Sequence, residues 1–176
     1  LARVTFDTEL PAGNASLFFT YDAPFNQQLQ GLYRVLSAGD SYAFTQFESV
    51  SARLAFPCFD EPSFKTPFDV WLTVAAEDVA LANTRAVAEE RAGEYKRIHF
   101  APTKPLPTYL VAFAVGPLDV VESEPLPPNE LRPQPVPLRG VAPKGKGALL
   151  EPALATLVPV LRAFERYFGI AYPYDK

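Results

Sequence analysis

The sequence is poor in the residues that build disulfides and metal sites. Among 176 residues it has one cysteine, Cys58, one histidine, His99, and no methionine. A single cysteine excludes an internal disulfide and leaves the redox compartment open. Because a structural zinc site uses about four ligands dominated by Cys and His, and a catalytic site about three, we expect no complete zinc site within this chain. A Ser-His-Asp triad would depend on His99 alone.

An excess of basic charge and long apolar runs are also missing. The formal net charge is -4 and no stripe of Lys and Arg is present, so the electrostatic surface that a nucleic-acid-binding protein needs is absent. No stretch approaches the roughly 20 apolar residues that cross a bilayer, and Leu1–Val4 is not typical of a signal peptide. We therefore expect a soluble chain with neither a nucleic-acid partner nor a membrane span, and its compartment, cytoplasmic or exported, stays open.

The residues that are abundant favour strands. Hydrophobic residues make up 48% and aromatic residues 13% of the chain, while 19 prolines argue for short elements with many connections. Residue patterns predict strands at Ser16–Tyr21 paired with Gln30–Leu36, then at Phe68–Val74, Tyr95–Ala101 and Tyr109–Val115, the last buried on both faces. Short strands separated by Pro and Gly predict an all-β fold, an antiparallel sandwich or saddle.

Aromatic and polar side chains alternate along one more extended segment. Tyr42, Phe44, Gln46 and Glu48 are spaced two residues apart, so a strand would place all four side chains on one face. By periodicity alone, Gln46 and Glu48 would be ordinary polar residues at a sheet surface.

The composition changes in the last third of the chain. Prolines crowd the polar stretch Glu122–Pro137, which we expect to resist regular structure and to act as a semi-rigid linker at a domain boundary. Beyond it, apolar residues recur at three- and four-residue spacing and predict a helix over Ala148–Tyr167 that ends at Gly169. Pro159 within that helix predicts a kink or an irregular turn.

A long motif in the first half of the chain points to a known family. The segment Thr45–Pro62, TQFESVSARLAFPCFDEP, resembles the signature of the aminopeptidase N family of zinc exopeptidases. Further pieces of that family pattern occur in the right order at Gly31–Arg34, Leu81–Thr84, Thr108–Gly116 and Tyr167–Pro173. The resemblance covers most of the chain, although the first residues and the proline-rich stretch contribute little.

The resemblance implies a saddle-shaped β-domain followed by a thermolysin-like α/β catalytic domain. That second domain carries the family motifs Gly-x-Met-Glu-Asn and His-Glu-x-x-His, and neither occurs in this chain. We therefore expect a β-rich N-terminal domain over 1–136, and a linker with the incomplete start of the catalytic domain over 137–176. Zinc and its activated water then belong to a longer parent protein, and the chain alone is expected to be inactive and to expose an apolar patch where the catalytic domain packs.

The resemblance also implies a role for two residues. In the family, a Gln-x-Glu pair meets the free α-amine of a peptide substrate, and here that pair is Gln46 and Glu48. A carboxylate in a water-poor cleft distinguishes a terminal ammonium from an internal amide by a charge-assisted hydrogen bond of roughly 1.5–3 kcal/mol. Holding the terminus also determines which peptide bond meets the metal.

Two alternative functions and four other residues also need to be considered. A relative that kept the fold but serves as a non-catalytic scaffold has no need of an amine anchor, and the epoxide-hydrolysing branch of the superfamily carries glutamine at the position of Glu48. Adjacent Asp60 and Glu61 are expected to be structural, because neighbours in an extended chain point apart. His99 is expected to be exposed or hydrogen-bonded, and Cys58 to be a small buried hydrophobe.

Overall fold

The computed structural model describes residues 4–176 and contains, over that range, nine strands and one α-helix. The elements are β1 (Gly31–Ser37), β2 (Asp40–Gln46), β3 (Trp71–Ala75), β4 (Val79–Ala82), β5 (Ala86–Ala92), β6 (Tyr95–Phe100), β7 (Phe113–Gly116), β8 (Leu118–Leu126), β9 (Val136–Pro143) and α1 (Glu151–Phe168). All strand pairs are antiparallel, and they form sheets of order β1-β2-β7-β4, β3-β6-β5 and β8-β9. The prediction of an all-β fold followed by a helix is confirmed.

The three-stranded sheet packs on the four-stranded sheet through an apolar layer. Ile98 and Phe100 of β6 are 4% and 2% exposed, and they meet Ala82 of β4 in one cluster. Leu72 and Val74 of β3 pack against the same cluster, as the alternation of that run predicted. Burial of this layer supplies the non-directional free energy that joins the two sheets.

The helix α1 lies against the β8-β9 hairpin. Leu126, Val136 and Leu138 of the hairpin form a buried cluster, and the helical residues Leu157, Val158 and Leu161 pack onto it. Gly169 ends the helix in the left-handed region, at φ 65°, a conformation that costs glycine little, so the predicted stop is confirmed. The helix continues through Pro159, which lies inside it.

Two predicted strands differ from the structure. Ser16–Tyr21 forms no strand, because β1 pairs with β2 instead and the run has no partner to satisfy its backbone. Thr108–Leu110 forms a 3-10 turn, so the strand predicted from Tyr109 begins only at Phe113.

The proline-rich stretch is partly regular, contrary to the prediction for Glu122–Pro137. Its first residues belong to the end of β8, and its last residues belong to the start of β9. These two strands pair antiparallel, so the residues between them form the connection of a β-hairpin. Backbone hydrogen bonds between the two strands outweigh the low strand propensity of their prolines. The division between 1–136 and 137–176 stays a prediction.

One helical stretch, Gly147–Phe168, meets the length and composition test for a membrane span, with a mean hydropathy of 1.4. The expectation that no such stretch exists does not hold by that test, because the many Ala, Leu and Val residues of this helix raise its mean hydropathy. This is weak support for a span, since the core helix of a soluble protein passes the same test.

Candidate functional site

Gln46 and Glu48 lie on either side of a buried phenylalanine. Gln46 is the last residue of β2, opposite Gly31 of β1, and Glu48 lies in the turn that follows. Phe47 is 2% exposed, whereas both polar neighbours are exposed. The strand therefore ends two residues earlier than the alternation predicted, and Glu48 leaves the sheet.

Phe47 anchors this turn in the core. Its ring makes edge contacts with Phe56 and Phe113, at centroid distances of 5.7 and 6.3 Å, and it belongs to a cluster with Ala52 and Ala55. Burial of a phenylalanine side chain stabilises a fold by about 1.5–3 kcal/mol. The backbone on both sides of Phe47 is held accordingly, with the side chains of Gln46 and Glu48 at the surface.

Residues 47–55, here called the 47–55 loop, fold back over the end of β1. The Ser51 amide donates to the Phe47 carbonyl at 2.8 Å, and Ala52–Leu54 form a 3-10 turn. Gly31 permits this approach, because a Cβ at that position would lie 3.2 Å from the Leu54 Cβ. Its φ of 68° also favours glycine.

Asp60 connects the 47–55 loop to a second segment. It is 5% exposed and accepts hydrogen bonds from Arg53 N at 3.1 Å, Arg53 Nε at 2.9 Å and Thr108 Oγ1 at 2.6 Å. Burial raises the pKa of Asp60, but the bonds from Thr108 and Arg53 outweigh burial and leave that pKa below its ordinary value. Asp60 has the structural role expected of it, and its neighbour Glu61 is exposed.

The Glu48 carboxylate has no cationic partner among the described residues. Within 4–176, no Lys, Arg or His nitrogen lies within 4.0 Å of it, whereas Asp40, Asp60, Asp69, Glu89, Glu165 and Asp175 all have one. An exposed, unpaired carboxylate can accept hydrogen bonds from an ammonium group without first breaking an internal ion pair.

A cavity of about 680 Å³ lies elsewhere, where the last residues return to the β-domain. The Lys176 Nζ donates to the carbonyls of Ala82 and Thr84, and the Lys104 Nζ donates to the Pro173 carbonyl at 2.6 Å. Burial lowers the pKa of Lys176 to about 8. Gln46 and Glu48 do not line this cavity.

The other singled-out residues have structural contacts. His99 Nε2 lies 2.7 Å from Asp69 Oδ1, and its ring stacks on Trp71 at a centroid distance of 3.9 Å, so the expectation of a hydrogen-bonded histidine is confirmed. Cys58 is half-buried against the Phe47 cluster, and burial raises the pKa of its thiol to about 11. A thiol with that pKa is a poor nucleophile near neutral pH.

Sequence reasoning missed a buried ion pair between Arg132 and Glu165, whose side chains are 7% and 3% exposed. Arg132 Nε donates to Glu165 Oε1 at 2.8 Å, and the Tyr172 amide donates to the same oxygen at 2.9 Å. The available signal was Glu165 itself, a charged residue four positions after Leu161 on the apolar face of the predicted helix.

The described residues do not fit a metal centre. Over residues 4–176 no group of three or more His, Cys, Asp or Glu side chains is arranged to hold an ion. The lone histidine and the lone cysteine also have separate partners, Asp69 and the apolar cluster around Phe47. A zinc ion serving this protein would need ligands from outside the described residues.

We therefore expect the isolated 176-residue chain to bind no stoichiometric zinc. Elemental analysis after mild chelator washing measures the zinc content per chain, and the expected value is far below one. Finding one tightly held zinc that is lost in the His99→Ala variant would contradict the expectation.

The described residues form antiparallel sheets followed by one helix, and Gln46 and Glu48 are exposed on either side of the buried Phe47. The sequence model of the peptidase M1 N-terminal domain matches residues 1–110. The chain belongs to the peptidase M1 N-terminal domain family.

Curated relatives extend the match beyond that domain. The chain is 37% identical over 175 residues to aminopeptidase M1-C of Oryza sativa subsp. japonica, a match that covers 97% of the chain. It is 33% identical over 183 residues to the puromycin-sensitive aminopeptidase of Caenorhabditis elegans, covering 100% of the chain. The chain spans 19% of the length of each of these relatives.

Proposed function

We propose that this chain is the substrate-anchoring part of a zinc-dependent aminopeptidase that removes N-terminal residues from peptides. Glu48 receives the α-ammonium of the peptide, and Gln46 adds a neutral hydrogen bond from the end of β2. The observation that carries the proposal is the exposed Glu48 carboxylate, which has no ion pair within residues 4–176 and is held beside the buried Phe47. Relatives named aminopeptidases support the reaction class.

The two polar residues do not both lie on β2, since Gln46 ends the strand and Glu48 lies in the turn that follows. They are separated only by Phe47, whose burial leaves both exposed. A charge-assisted bond to an ammonium is strong only where water is excluded. The proposed downstream catalytic domain supplies that exclusion by covering the loop, and it holds the zinc ion, which when bound polarises the scissile carbonyl and activates water. In this proposal residues 1–136 form the anchoring domain, 137–176 begin the catalytic one, and the chain alone is inactive.

The coding sequence beyond Lys176 tests this proposal directly. We expect the reading frame to continue into Gly-x-Met-Glu-Asn and then His-Glu-x-x-His. If the reading frame continues without either motif, the proposal of an aminopeptidase would be wrong, and a non-catalytic scaffold of the same fold would be the better interpretation.

The outer side of α1 is the surface that we propose the downstream domain covers. On α1, Phe164, Tyr167 and Phe168 are 57%, 83% and 63% exposed although their side chains are large and mostly apolar, and Ile170, just after the helix, is 67% exposed. Apolar side chains clustered at this density mark an interaction surface more often than a free one.

The isolated chain should therefore self-associate through this surface. Sedimentation velocity is expected to show association that rises with concentration and falls when Phe164 and Phe168 are both replaced by Ser. Leu36→Ser is the matched control, because Leu36 is 68% exposed but lies on β1. A monodisperse monomer at high concentration, or an equal effect of the control, would argue against the assignment.

A further inference from the structure

We propose that Asp60 is a positioning residue for substrate binding: its buried carboxylate holds the 47–55 loop, and with it Glu48, at a set place against the turn that begins at Thr108. The inference rests on the proposed function of Glu48. Asp60 itself does not meet the substrate, because only 5% of the residue is exposed.

Both oxygens of the Asp60 carboxylate are used, and they face different segments. Oδ2 accepts from the backbone and the side chain of Arg53, and Oδ1 accepts from the Thr108 hydroxyl. Arg53 Nη2 also donates to the Asp60 carbonyl at 2.8 Å. A carboxylate that bridges two segments in this way restrains the distance between them, since hydrogen bonds to charged groups are short and directional.

The other hydrogen bonds of the 47–55 loop close local turns, from the amides of Ser51, Leu54 and Ala55 to carbonyls of the same loop, so they do not bind it to another segment. Phe47 and Ala52 hold two points of the loop in the apolar cluster, and apolar burial is non-directional. The Arg53 amide lies in the first turn of a 3-10 helix, where no earlier carbonyl of that helix can accept from it, and Asp60 supplies the acceptor. Without this acceptor, the half-exposed Arg53 side chain would turn to water and the turn after Glu48 would lose its fixed orientation.

The other side of the bridge is firmly held. Thr108 is 4% exposed and begins the 3-10 turn Thr108–Leu110. The Asn83 side chain donates to the Leu110 carbonyl and accepts from the Ala112 amide, both at 2.8 Å. Asp60 therefore connects the 47–55 loop, whose other hydrogen bonds are internal, to a segment that Asn83 also holds. In this proposal that connection positions the turn that contains Glu48.

The test uses the longer aminopeptidase with free-amine and Nα-acetylated forms of one peptide. Asp60→Asn keeps the shape of the side chain but puts a donor group where acceptors are needed. Thr108→Val removes one hydroxyl at nearly constant volume, and Thr108→Ser restores it. Glu165→Gln is the matched control, because it also removes a buried carboxylate that accepts from an arginine, in a different part of the fold.

Asp60→Asn is expected to lower kcat/KM for the free-amine peptide by roughly 10- to 100-fold, as a displacement of about 1 Å does elsewhere. KM should rise and the preference for the free amine over the acetylated form should fall. Thr108→Val should show a smaller loss of the same kind, and Thr108→Ser should recover most of it. In the variants Asp60→Asn and Thr108→Val, backbone amides of the 47–55 loop should exchange hydrogen faster, whereas Glu165→Gln should lower Tm without changing amine preference.

Two results distinguish a failure of the Asp60 inference from a failure of the proposed role of Glu48. If Glu48→Ala loses amine preference but Asp60→Asn and Thr108→Val keep the wild-type preference and differ only in Tm, Asp60 is merely structural and the inference is overturned. If Glu48→Ala keeps the wild-type preference, the proposed function fails, and the inference fails with it. Faster exchange in the loop together with lost amine preference, absent from Glu165→Gln, supports both.

Discussion

Replacing Glu48 by Ala in the longer aminopeptidase is expected to lower kcat/KM for free-amine peptides by about 30- to 1,000-fold, or about 2–4 kcal/mol of transition-state binding. The substitution removes a charged contact made in both the ground state and the transition state, so KM should rise. It also loosens the placement of the scissile bond, so kcat should fall. Steady-state kinetics on one peptide series measures both parameters.

The control for Glu48 is a peptide whose α-amine is acetylated. The wild type should reject it strongly, because its terminus has no charge for Glu48 to receive. Glu48→Ala should discriminate far less between the two forms. Gln46→Ala should cost less than Glu48→Ala, because the contact it removes is neutral. Wild-type kinetics and unchanged rejection of the acetylated peptide in Glu48→Ala would make Glu48 a structural residue.

Replacing Glu165 by Gln is expected to lower the free energy of unfolding of the 176-residue chain by about 3–5 kcal/mol at neutral pH. The change leaves the Arg132 guanidinium buried without its counter-charge, and Arg132 is 6% exposed. The pair also joins the β8-β9 connection to α1, so its loss weakens the packing of the helix. Urea unfolding followed by circular dichroism gives the difference.

The matched control is Glu89→Gln. Glu89 pairs with Arg91 at 3.0 Å, but their side chains are 41% and 66% exposed, so water already solvates both charges. Exposed pairs of this kind contribute about 0–1 kcal/mol. Equal losses in the two variants would show that burial does not decide the strength of the Arg132–Glu165 pair.

The stability from Glu165 should depend on pH in one direction. The hydrogen bond from Arg132, with those from Tyr172 and Asn129, lowers the pKa of Glu165 from its ordinary value of 4.5. A carboxyl whose pKa is lower in the folded state stabilises the fold above its unfolded pKa, and that stability is lost as the pH falls through the folded pKa. The difference in the free energy of unfolding between wild type and Glu165→Gln should therefore be largest near pH 7 and should decrease below about pH 4.5. A difference that grew on acidification would contradict this.

Local patterns predicted five of the nine described strands, β1, β2, β3, β6 and part of β7, because a strand with one buried face alternates apolar and polar residues in the sequence. They did not predict β4, β5, β8 or β9. Leu72 and Val74 alternate with more polar residues, and the structure places both against the Ile98 and Phe100 cluster. The same reasoning failed at Ser16–Tyr21, where β propensity alone gives no partner strand. It also extended β2 to Glu48, because alternation cannot show where hydrogen bonding to a neighbouring strand stops.

The sequence by itself determined the family, through a long contiguous motif, and the all-β class, through composition and short-range periodicity. The role of Gln46 and Glu48 is implied by the family resemblance and stays a prediction. Only the tertiary structure decided that Glu48 lies in a turn, that Asp60 bridges Arg53 to Thr108, and that Glu165 is buried against Arg132. Thr108 lies 48 positions after Asp60, and Glu165 lies 33 positions after Arg132. Side chains so far apart along the chain meet only after the sheets and the helix have packed, because their burial and charge pairing depend on that packing.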